Sequence, residues 1–381
     1  MVRTRPADAA TPLSVAFISS YGGLGGSEIY LERLLGMLDR SLVHSVISLG
    51  DGALIDRLRA LDHSVEVVPT SGDPRSFAIS AWTVRRLLRA RRPRVVHANG
   101  LKAAIVTALA TTGTGLPVVW IRHDFSMEGW RAQTLALRCR RVICVSHALA
   151  RTFHGALQRK VDVVHTGLPE VDLDRDDARQ HLRDIVAEPL AEPIISLVGH
   201  LIPNKGHLEL IEVCPELLAR LPNARILFVG DVPSERFAPY AERLKDRVKQ
   251  LGLGETTTFL GHRNDALTLI AGSDLVVMPS VSGHGAIETE GFPLIALEAL
   301  AVGTPVVAYG VGGLPELIAD CGALVPQSDR EGLLDGILRL TTDRATWERM
   351  SSCGRERART SFSSTSMIAG LQRAYQLAAR G

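Results

Sequence analysis

Two glutamates, Glu290 and Glu298, flank a short segment whose residue types suit an anion site. The segment begins Gly291-Phe292-Pro293, and a proline fits the first turn of a helix, where an N–H would have no partner. Backbone N–H groups at the positive end of that helix would attract an anion. Glu298 follows Leu294 at the spacing that places both on one helix face. Its two oxygens suit vicinal hydroxyls, and Glu290, outside the helix, can accept hydrogen bonds from a second polyol.

An anion site between two carboxylates suits a ligand that consists of a ribose, a diphosphate and a sugar. The alternative interpretation is structural, with one glutamate that caps a helix and another on its surface.

Other motifs for nucleotides and for catalysis do not occur in the sequence. The loop Tyr21–Glu28 precedes a helix but is not G-x-G-x-x-G, because Glu28 stands at the third glycine position counted from Gly23. No acidic residue for a ribose follows in Ser45–Gly50, which disfavours a nicotinamide or flavin role. Asn204-Lys205-Gly206 has the reverse order of the P-loop motif, and G-x-S-x-G and H-E-x-x-H are missing.

The aspartates 172, 174 and 176 have the spacing of a metal-binding D-x-D motif. They lie in a polar segment and not at the end of an apolar strand. We therefore interpret them as helix-capping residues of a solvated linker, and we expect no bound metal.

Short apolar runs alternate with helical patterns along the whole chain. The runs predict strands at Ser14–Ser19, Val43–Leu49, Val65–Pro69, Val95–Ala98, Val118–Ile121, Val142–Val145, Val161–His165, Ile194–Val198, Ile226–Val229, Thr257–Leu260, Leu275–Met278, Val306–Ala308 and Ala323–Val325. Continuous apolar strands separated by helices indicate parallel sheets covered on both faces. The predicted class is α/β, with two doubly wound Rossmann-like domains that face each other across a cleft.

The polar, acidic segment 171–192 predicts a hinge between the domains. It separates a first domain, 1–170, from a second, 193–362. Residues 363–381 follow as a helix without a further strand. The length of 381 residues agrees with two or three domains.

Composition excludes several classes of protein. The 43 Lys and Arg against 41 Asp and Glu leave a net charge of +2, without the basic excess that nucleic-acid binding requires. With 46% hydrophobic and 22% charged residues the chain is globular, not disordered.

The five cysteines are odd in number and include no C-x-x-C pair. They indicate buried thiols in a reducing compartment and neither a disulfide framework nor a zinc site. No apolar run is long enough for a signal peptide or a membrane span. We expect a cytoplasmic protein.

From Glu290 to Glu298 the sequence resembles the E-x7-E signature of retaining glycosyltransferases of family 4, which have the GT-B fold. The resemblance extends over nearly the whole chain. It includes Ala299–Ala308, Gly312–Glu316, the Gly25–Glu28 loop, Val96–Asn99, Val145-Ser146, and Val198-Gly199 with Lys205-Gly206. It implies transfer of a hexose-type sugar from a nucleotide-diphosphate sugar, a UDP-sugar by preference, to an acceptor hydroxyl, without a metal or other cofactor.

The resemblance also implies the roles of particular residues. The first domain would bind the acceptor, the second the donor, and the last helix would cross back to the first. Lys205 would neutralise the donor diphosphate, and His123, at a strand end, resembles a histidine near the transferred sugar. The predicted catalytic residues are Glu290, Lys205 and His123. The predicted donor-binding residues are Glu298, His200, Gly291, Phe292, Pro293, Leu294, Ile295, Gly23 and Arg263. The predicted acceptor-binding residues are Gly25, Gly26, His97 and Asn99.

Some of these assignments have structural alternatives. His200 stands where the family usually has an arginine, which changes the expected phosphate contact. Lys205 could be an exposed loop lysine, and His97 and His123 could be structural histidines. The run Arg85–Arg94 near Trp82 is either a solvated basic face or a weak peripheral membrane contact.

The acceptor stays open among a small molecule, a glycan and a lipid-linked sugar, and the sequence does not indicate the oligomeric state. Two further interpretations compete with a transferase. One is a non-catalytic partner subunit that binds nucleotide sugars, and the other is a GT-B nucleotide-sugar epimerase. The function of segment 281–289 is not indicated by its sequence.

Overall fold

The computed structural model describes residues 13–186, 192–283 and 290–380, and within them the chain forms two parallel sheets. The first has the order β3-β2-β1-β4-β5-β6-β7. Its strands are β1 (Val15–Ser19), β2 (Val43–Ser48), β3 (Val65–Val67), β4 (Val95–Asn99), β5 (Val118–Arg122), β6 (Arg141–Cys144) and β7 (Val161–Val163). The second has the order β10-β9-β8-β11-β12-β13. Its strands are β8 (Ile194–Val198), β9 (Arg225–Val229), β10 (Thr257–Gly261), β11 (Leu275–Met278), β12 (Val306–Tyr309) and β13 (Ala323–Val325).

The predicted fold class is confirmed. Every residue of β1 and of β8, the two central strands, is buried, as expected where helices cover both faces of a parallel sheet. Both strand orders reverse beside the first strand of each sheet, so each sheet has a switch point where a ligand can bind.

Helices connect the strands in both halves. Those of the first half are α1 (Gly26–Met37), α2 (Ala53–Ala60), α3 (Pro74–Arg91), α4 (Leu101–Ala110), α5 (Gly129–Arg138) and α6 (His147–Ala150). Those that follow are α7 (Arg175–Val186), α8 (His207–Arg220), α9 (Ala238–Gln250), α10 (Ala266–Gly272), α11 (Leu294–Val302), α12 (Leu314–Ile318), α13 (Arg330–Thr342), α14 (Arg344–Ser361) and α15 (Ser364–Arg380). Among the described helices, none is both long and apolar enough to cross a bilayer.

Much of the segment predicted as a hinge is helical. Asp174 accepts hydrogen bonds from the N–H groups of residues 176 and 177, which makes it a capping residue at the start of α7. Arg175 and Arg179 of this helix each lie 2.8 Å from a carboxylate oxygen of Asp274. Helix α7 is therefore fixed to the second domain. Residues 187–191 of the predicted linker lie outside the described part of the chain.

Helix α15 packs on the first sheet after the chain has completed the second. Tyr375 is fully buried, and its hydroxyl lies 2.6 Å from Nδ1 of His97 in β4. At the start of the return, a backbone bridge pairs Leu168 with Ser363. The core of the first domain thus contains residues from both ends of the described chain.

The prediction that all cysteines are unpaired is wrong. Cys321 and Cys353 form a disulfide with a Cα–Cα distance of 5.2 Å. The pair joins the turn before β13 to α14, a tertiary contact that no spacing rule reveals. Cys139, Cys144 and Cys214 are free and buried.

Candidate active site

A pocket of about 300 Å³ opens at the carboxyl ends of β8, β9 and β10. His200 lines it after β8, Asp231 after β9, and His262 and Arg263 after β10. Ligands of doubly wound sheets bind at this edge. The lining of the pocket includes acidic and basic side chains, so the pocket suits a polar ligand.

Lys205 and Glu290 meet beside this edge. The Nζ of Lys205 lies 2.7 Å from Oε1 of Glu290, and the Ser280 hydroxyl donates to the same oxygen at 2.8 Å. Gly206 has a φ of +72°, and a Cβ there would lie 1.8 Å from the carbonyl oxygen of Pro279. Only glycine fits this approach, so the Lys-Gly pair fixes the loop and directs the lysine toward Glu290.

The loop after Glu290 lies between the domains. A Cβ on Gly291 would lie 1.8 Å from the carbonyl oxygen of His123, which belongs to the first domain. The Glu290 carbonyl accepts a hydrogen bond of 2.8 Å from the N–H of Gly313. The first contact leaves no room for a side chain at 291, and both contacts hold the backbone of this loop at the interdomain cleft.

Helix α11 begins one residue later than predicted. Pro293 is its N-cap, with φ −74° and ψ 117°, and Leu294 is its first helical residue. The N–H groups of Leu294 and Ile295 belong to the first turn, which has no carbonyl of its own helix to bind. These groups, with Phe292 beside them, stay the candidate anion site at the positive helix end.

Glu298 is buried in α11, with 5% exposure, and its carboxylate already has a partner. Arg33 of α1 lies 2.5 Å from Oε1 of Glu298 and links the two domains. No sequence motif indicates Arg33, because it lies 265 positions from Glu298 and α1 carries no motif at that residue.

In the first domain, His123 and Asn99 form a hydrogen-bonded pair. Asn99 donates from Nδ2 to the carbonyl of Ser27 at 2.9 Å, so its Oδ1 faces Nε2 of His123 at 2.7 Å. Burial lowers the pKa of His123 to about 4, although the charge of Asp124 opposes the shift. The imidazole is therefore neutral at pH 7, Nε2 carries its proton, and Nδ1 is the acceptor nitrogen.

The glycine loop connects this pair to α1. Gly25 is the N-cap of α1, and the Ser27 carbonyl, which accepts the hydrogen bond from Asn99, is in the first turn of this helix. Gly23 and Gly26 are exposed, and a Cβ on either would meet no atom within 4 Å. The loop therefore presents open backbone on the same side as His123.

His97 does not share this environment. Its side chain is fully buried in β4 beside Phe17 and Tyr375, with a ring-centroid distance of 4.9 Å to Phe17. Burial, with a smaller contribution from His123, lowers the pKa of His97 to about 3. The imidazole of His97 is thus part of the core and contacts the C-terminal helix. Its role in acceptor binding stays a prediction.

The two predicted donor ligands of the pocket differ in their availability. Arg263 donates two hydrogen bonds to Asp265, at 2.9 and 2.6 Å, so its charge is already matched. The pKa of His200 is lowered by burial first, and then by the charges of Lys205 and His262. His200 is therefore neutral at pH 7, unlike the arginine that the resemblance led us to expect.

Comparison with known proteins matches one family model to each half of the chain. Residues 178–357 match the family model described as glycosyl transferases group 1. Residues 24–174 match the model described as glycosyltransferase family 4. Both halves of this chain are therefore glycosyltransferase-type domains. The boundary between the matched segments lies at the start of α7, close to the boundary between the sheets.

Relatives match these domains over part of their own length. The D-inositol 3-phosphate glycosyltransferase of Mycolicibacterium smegmatis is 34% identical over 182 residues, which are 47% of this chain and 39% of that protein. The Mycobacterium tuberculosis protein of the same name is 35% identical over 171 residues, 44% of this chain and 33% of that protein. The match thus spans well under half the length of these relatives.

Solved structures share the arrangement of the two domains. Anabaena HepE in complex with UDP and glucose has a TM-score of 0.83 at 24% identity, covering 96% of this chain and 99% of HepE. Sucrose-phosphate synthase from Thermosynechococcus elongatus has a TM-score of 0.77 at 20% identity, covering 97% of this chain and 100% of that one. This similarity establishes the GT-B fold.

Proposed function

We propose that the protein is a retaining glycosyltransferase that moves a hexose-type sugar from a UDP-sugar to an acceptor hydroxyl and needs no metal. The contact between Lys205 and Glu290, 2.7 Å apart at the carboxyl edge of the second sheet, carries the proposal. A cation beside a carboxylate next to a helix N-terminus suits a diphosphate bonded to a sugar. HepE, which has the same fold, was solved with UDP and with UDP-glucose.

The donor would occupy the second domain and the cleft. The part of the pocket lined by Asp231 and His262 suits the base and ribose, and His200 with the first turn of α11 suits the diphosphate. On donor binding, the ammonium of Lys205 would turn from Glu290 to the phosphate oxygens. Glu290 would then be free to accept hydrogen bonds from hydroxyls of the sugar.

Sugar transfer breaks the bond between the anomeric carbon and the diphosphate oxygen and forms a bond to the acceptor oxygen. Among the described residues we identify no side chain that would serve as an enzyme nucleophile opposite Glu290. We therefore favour a front-face reaction, in which the departing phosphate accepts the proton of the acceptor hydroxyl. Lys205 would stabilise the charge that develops on this phosphate. Nδ1 of neutral His123 would accept a hydrogen bond from a sugar hydroxyl.

The proposal is tested in two steps. Thermal unfolding of the full chain is measured with UDP-, GDP-, ADP- and dTDP-sugars, since a bound ligand raises the melting temperature. The protein is then incubated with the nucleotide sugar that raises its melting temperature most and with polyols, glycans and lipid-linked sugars as acceptors. Inositol phosphate is included because the relatives are named as D-inositol 3-phosphate glycosyltransferases. Proton NMR of the product identifies its anomer.

Retention of the donor's anomeric configuration is the expected result, and inversion would refute the proposed stereochemistry. A donor that binds without turnover on any acceptor would favour a non-catalytic binding subunit. Conversion of the donor sugar into its epimer when no acceptor is present would favour an epimerase. Lys205→Met should lower donor affinity, and the matched control Lys245→Met, on the exposed face of α9, should not.

A further inference from the structure

A second cluster of polar side chains lies where the domains meet, outside the proposed donor site. His147 begins α6, His165 follows β7, and Glu316 is in α12 of the second domain. One ligand atom from each lies within 4.8 Å of the other two. His147 is exposed, whereas His165 and Glu316 are partly buried.

The carboxylate of Glu316 is held in place by the first domain. It accepts hydrogen bonds from the N–H of His147 at 2.9 Å and from the N–H of Ala148 at 3.3 Å. Nε2 of His165 lies 3.4 Å from Oε2. These three contacts hold the carboxylate of Glu316 against the first domain, beside both histidines.

The two imidazoles are close and are oriented by their neighbours. Their ring centroids are 5.5 Å apart, and the ring of His165 packs 5.3 Å from both Phe292 and Phe362. Arg357 donates to the backbone carbonyls of residues 316 and 317 and not to the carboxylate. Within the described ranges, no lysine or arginine forms an ion pair with Glu316, so its charge stays available.

We propose that His147, His165 and Glu316 bind one divalent transition-metal ion, Zn²⁺ by preference. Two imidazoles and one carboxylate form a ligand set that suits Zn²⁺, with a fourth position for water. Mg²⁺ and Ca²⁺ prefer oxygen ligands and fit this set poorly. The exposure of His147 provides the path for the ion. The N–H groups that hold Glu316 fix the orientation of this ligand, as outer hydrogen bonds do in other metal sites.

Such an ion would join the two domains, because its ligands come from both. Glu316 follows Gly313, whose N–H binds the carbonyl of Glu290, and His165 packs on Phe292 in the same loop. A bound ion would hold this loop against the first domain and oppose opening of the cleft. The inference does not depend on the proposed function, since metal binding is measured without donor or acceptor.

The test uses the full chain after dialysis against EDTA and then against metal-free buffer. Co²⁺ is titrated as the spectroscopic probe, and Zn²⁺ affinity is measured by competition with a chromophoric chelator. We expect one equivalent of Co²⁺ with the visible absorption of a four-coordinate site. His147→Gln and His165→Gln should weaken Zn²⁺ binding at least about a hundredfold. His154→Gln, at an exposed histidine of the same domain, is the matched control and should bind as wild type does.

Melting curves provide a second readout. Zn²⁺ should raise the melting temperature of wild type and of His154→Gln, but not that of His147→Gln. Because His147 is on the surface, its variant should fold even if His165→Gln does not. Absence of a stoichiometric site in wild type, or Zn²⁺ binding that survives His147→Gln unchanged, overturns the proposal. A Co²⁺ spectrum that His147→Gln leaves unchanged would show that other residues hold the ion and has the same consequence.

Discussion

Arg33 of α1 and Glu298 of α11 form an ion pair across the domain boundary, with 2.5 Å between Nη2 and Oε1. Glu298 is almost completely buried, so removal of its partner would leave a charge with little solvent. We expect Arg33→Met to lower the free energy of unfolding by about 1–3 kcal/mol. Denaturant unfolding measures the loss, and Arg59→Met, at an exposed arginine, is the control.

The same pair predicts non-additive effects. The double variant Arg33→Met/Glu298→Gln should lose less free energy of unfolding than the sum of the losses of the two single variants, by about 0.5–3 kcal/mol. Strict additivity would show that the pair contributes nothing to stability. Donor affinity of these variants, measured in parallel, distinguishes a structural Glu298 from one that also binds the ribose.

Glu290→Gln keeps the shape of the side chain but removes its charge. Hydrogen bonds from Lys205, Ser280 and the sugar to residue 290 would weaken. We expect a loss of about 1–3 kcal/mol in transition-state stabilisation, measured as kcat/KM. Glu216→Gln is the control, because Glu216 is an exposed residue of α8. A wild-type kcat/KM for Glu290→Gln would remove Glu290 from the active site.

Turnover should not require a divalent metal, since Lys205 and the start of α11 supply the positive field. Sugar transfer by EDTA-dialysed protein should equal or exceed that of untreated protein, because removal of an ion from the His147 cluster would ease opening. The rate is measured before and after addition of Mn²⁺ and Mg²⁺. Loss of activity that either ion restores would contradict this prediction.

The pH dependence of donor binding tests His200. Its pKa lies below the usual value in the free protein, and a bound diphosphate would favour the imidazolium and raise it. Binding then takes up a proton, so affinity is highest at low pH and falls as pH rises through the pKa of the complex. His200→Arg should flatten this curve. Dissociation constants from about pH 6 to 9 decide between the two shapes, and parallel curves would exclude His200 from the phosphate site.

The contact between Tyr375 and His97 predicts that the last helix is essential for stability. Tyr375→Phe leaves the buried Nδ1 of His97 without its hydroxyl partner and should lower stability by about 1–3 kcal/mol. Truncation after Phe362 removes all of α15 and exposes the apolar surface below it, so it should unfold the first domain. Circular dichroism and thermal unfolding of both variants check the prediction. A truncated protein as stable as the full chain would contradict it.

The sequence was sufficient for the fold because both sheets are parallel and buried. Each strand is then a continuous apolar run, and the predicted strands match those observed to within two residues at their ends. The helix at 175–186 was missed, because its polar surface resembles a linker, and its fixed position depends on the contact of Arg179 with Asp274.

For the site, local motifs identified Lys205 and Glu290, which the structure places in contact. Such motifs contain no information on partners from another domain. For this reason they do not indicate Arg33 or the cluster of His147, His165 and Glu316. The Cys321–Cys353 bond lies within one domain, but it too forms only when segments 32 residues apart pack together. The burial of His97 could not be predicted either, because its packing against Phe17 and Tyr375 joins segments far apart in the sequence.

The return of α15 to the first sheet has a consequence for biosynthesis. Phe17 and His97, which lie in the first hundred residues, complete their packing only against Tyr375. Domains generally fold as units while the chain leaves the ribosome. The first domain can therefore complete this part of its core only after residues 364–380 have been synthesised, when the whole second domain has already left the ribosome.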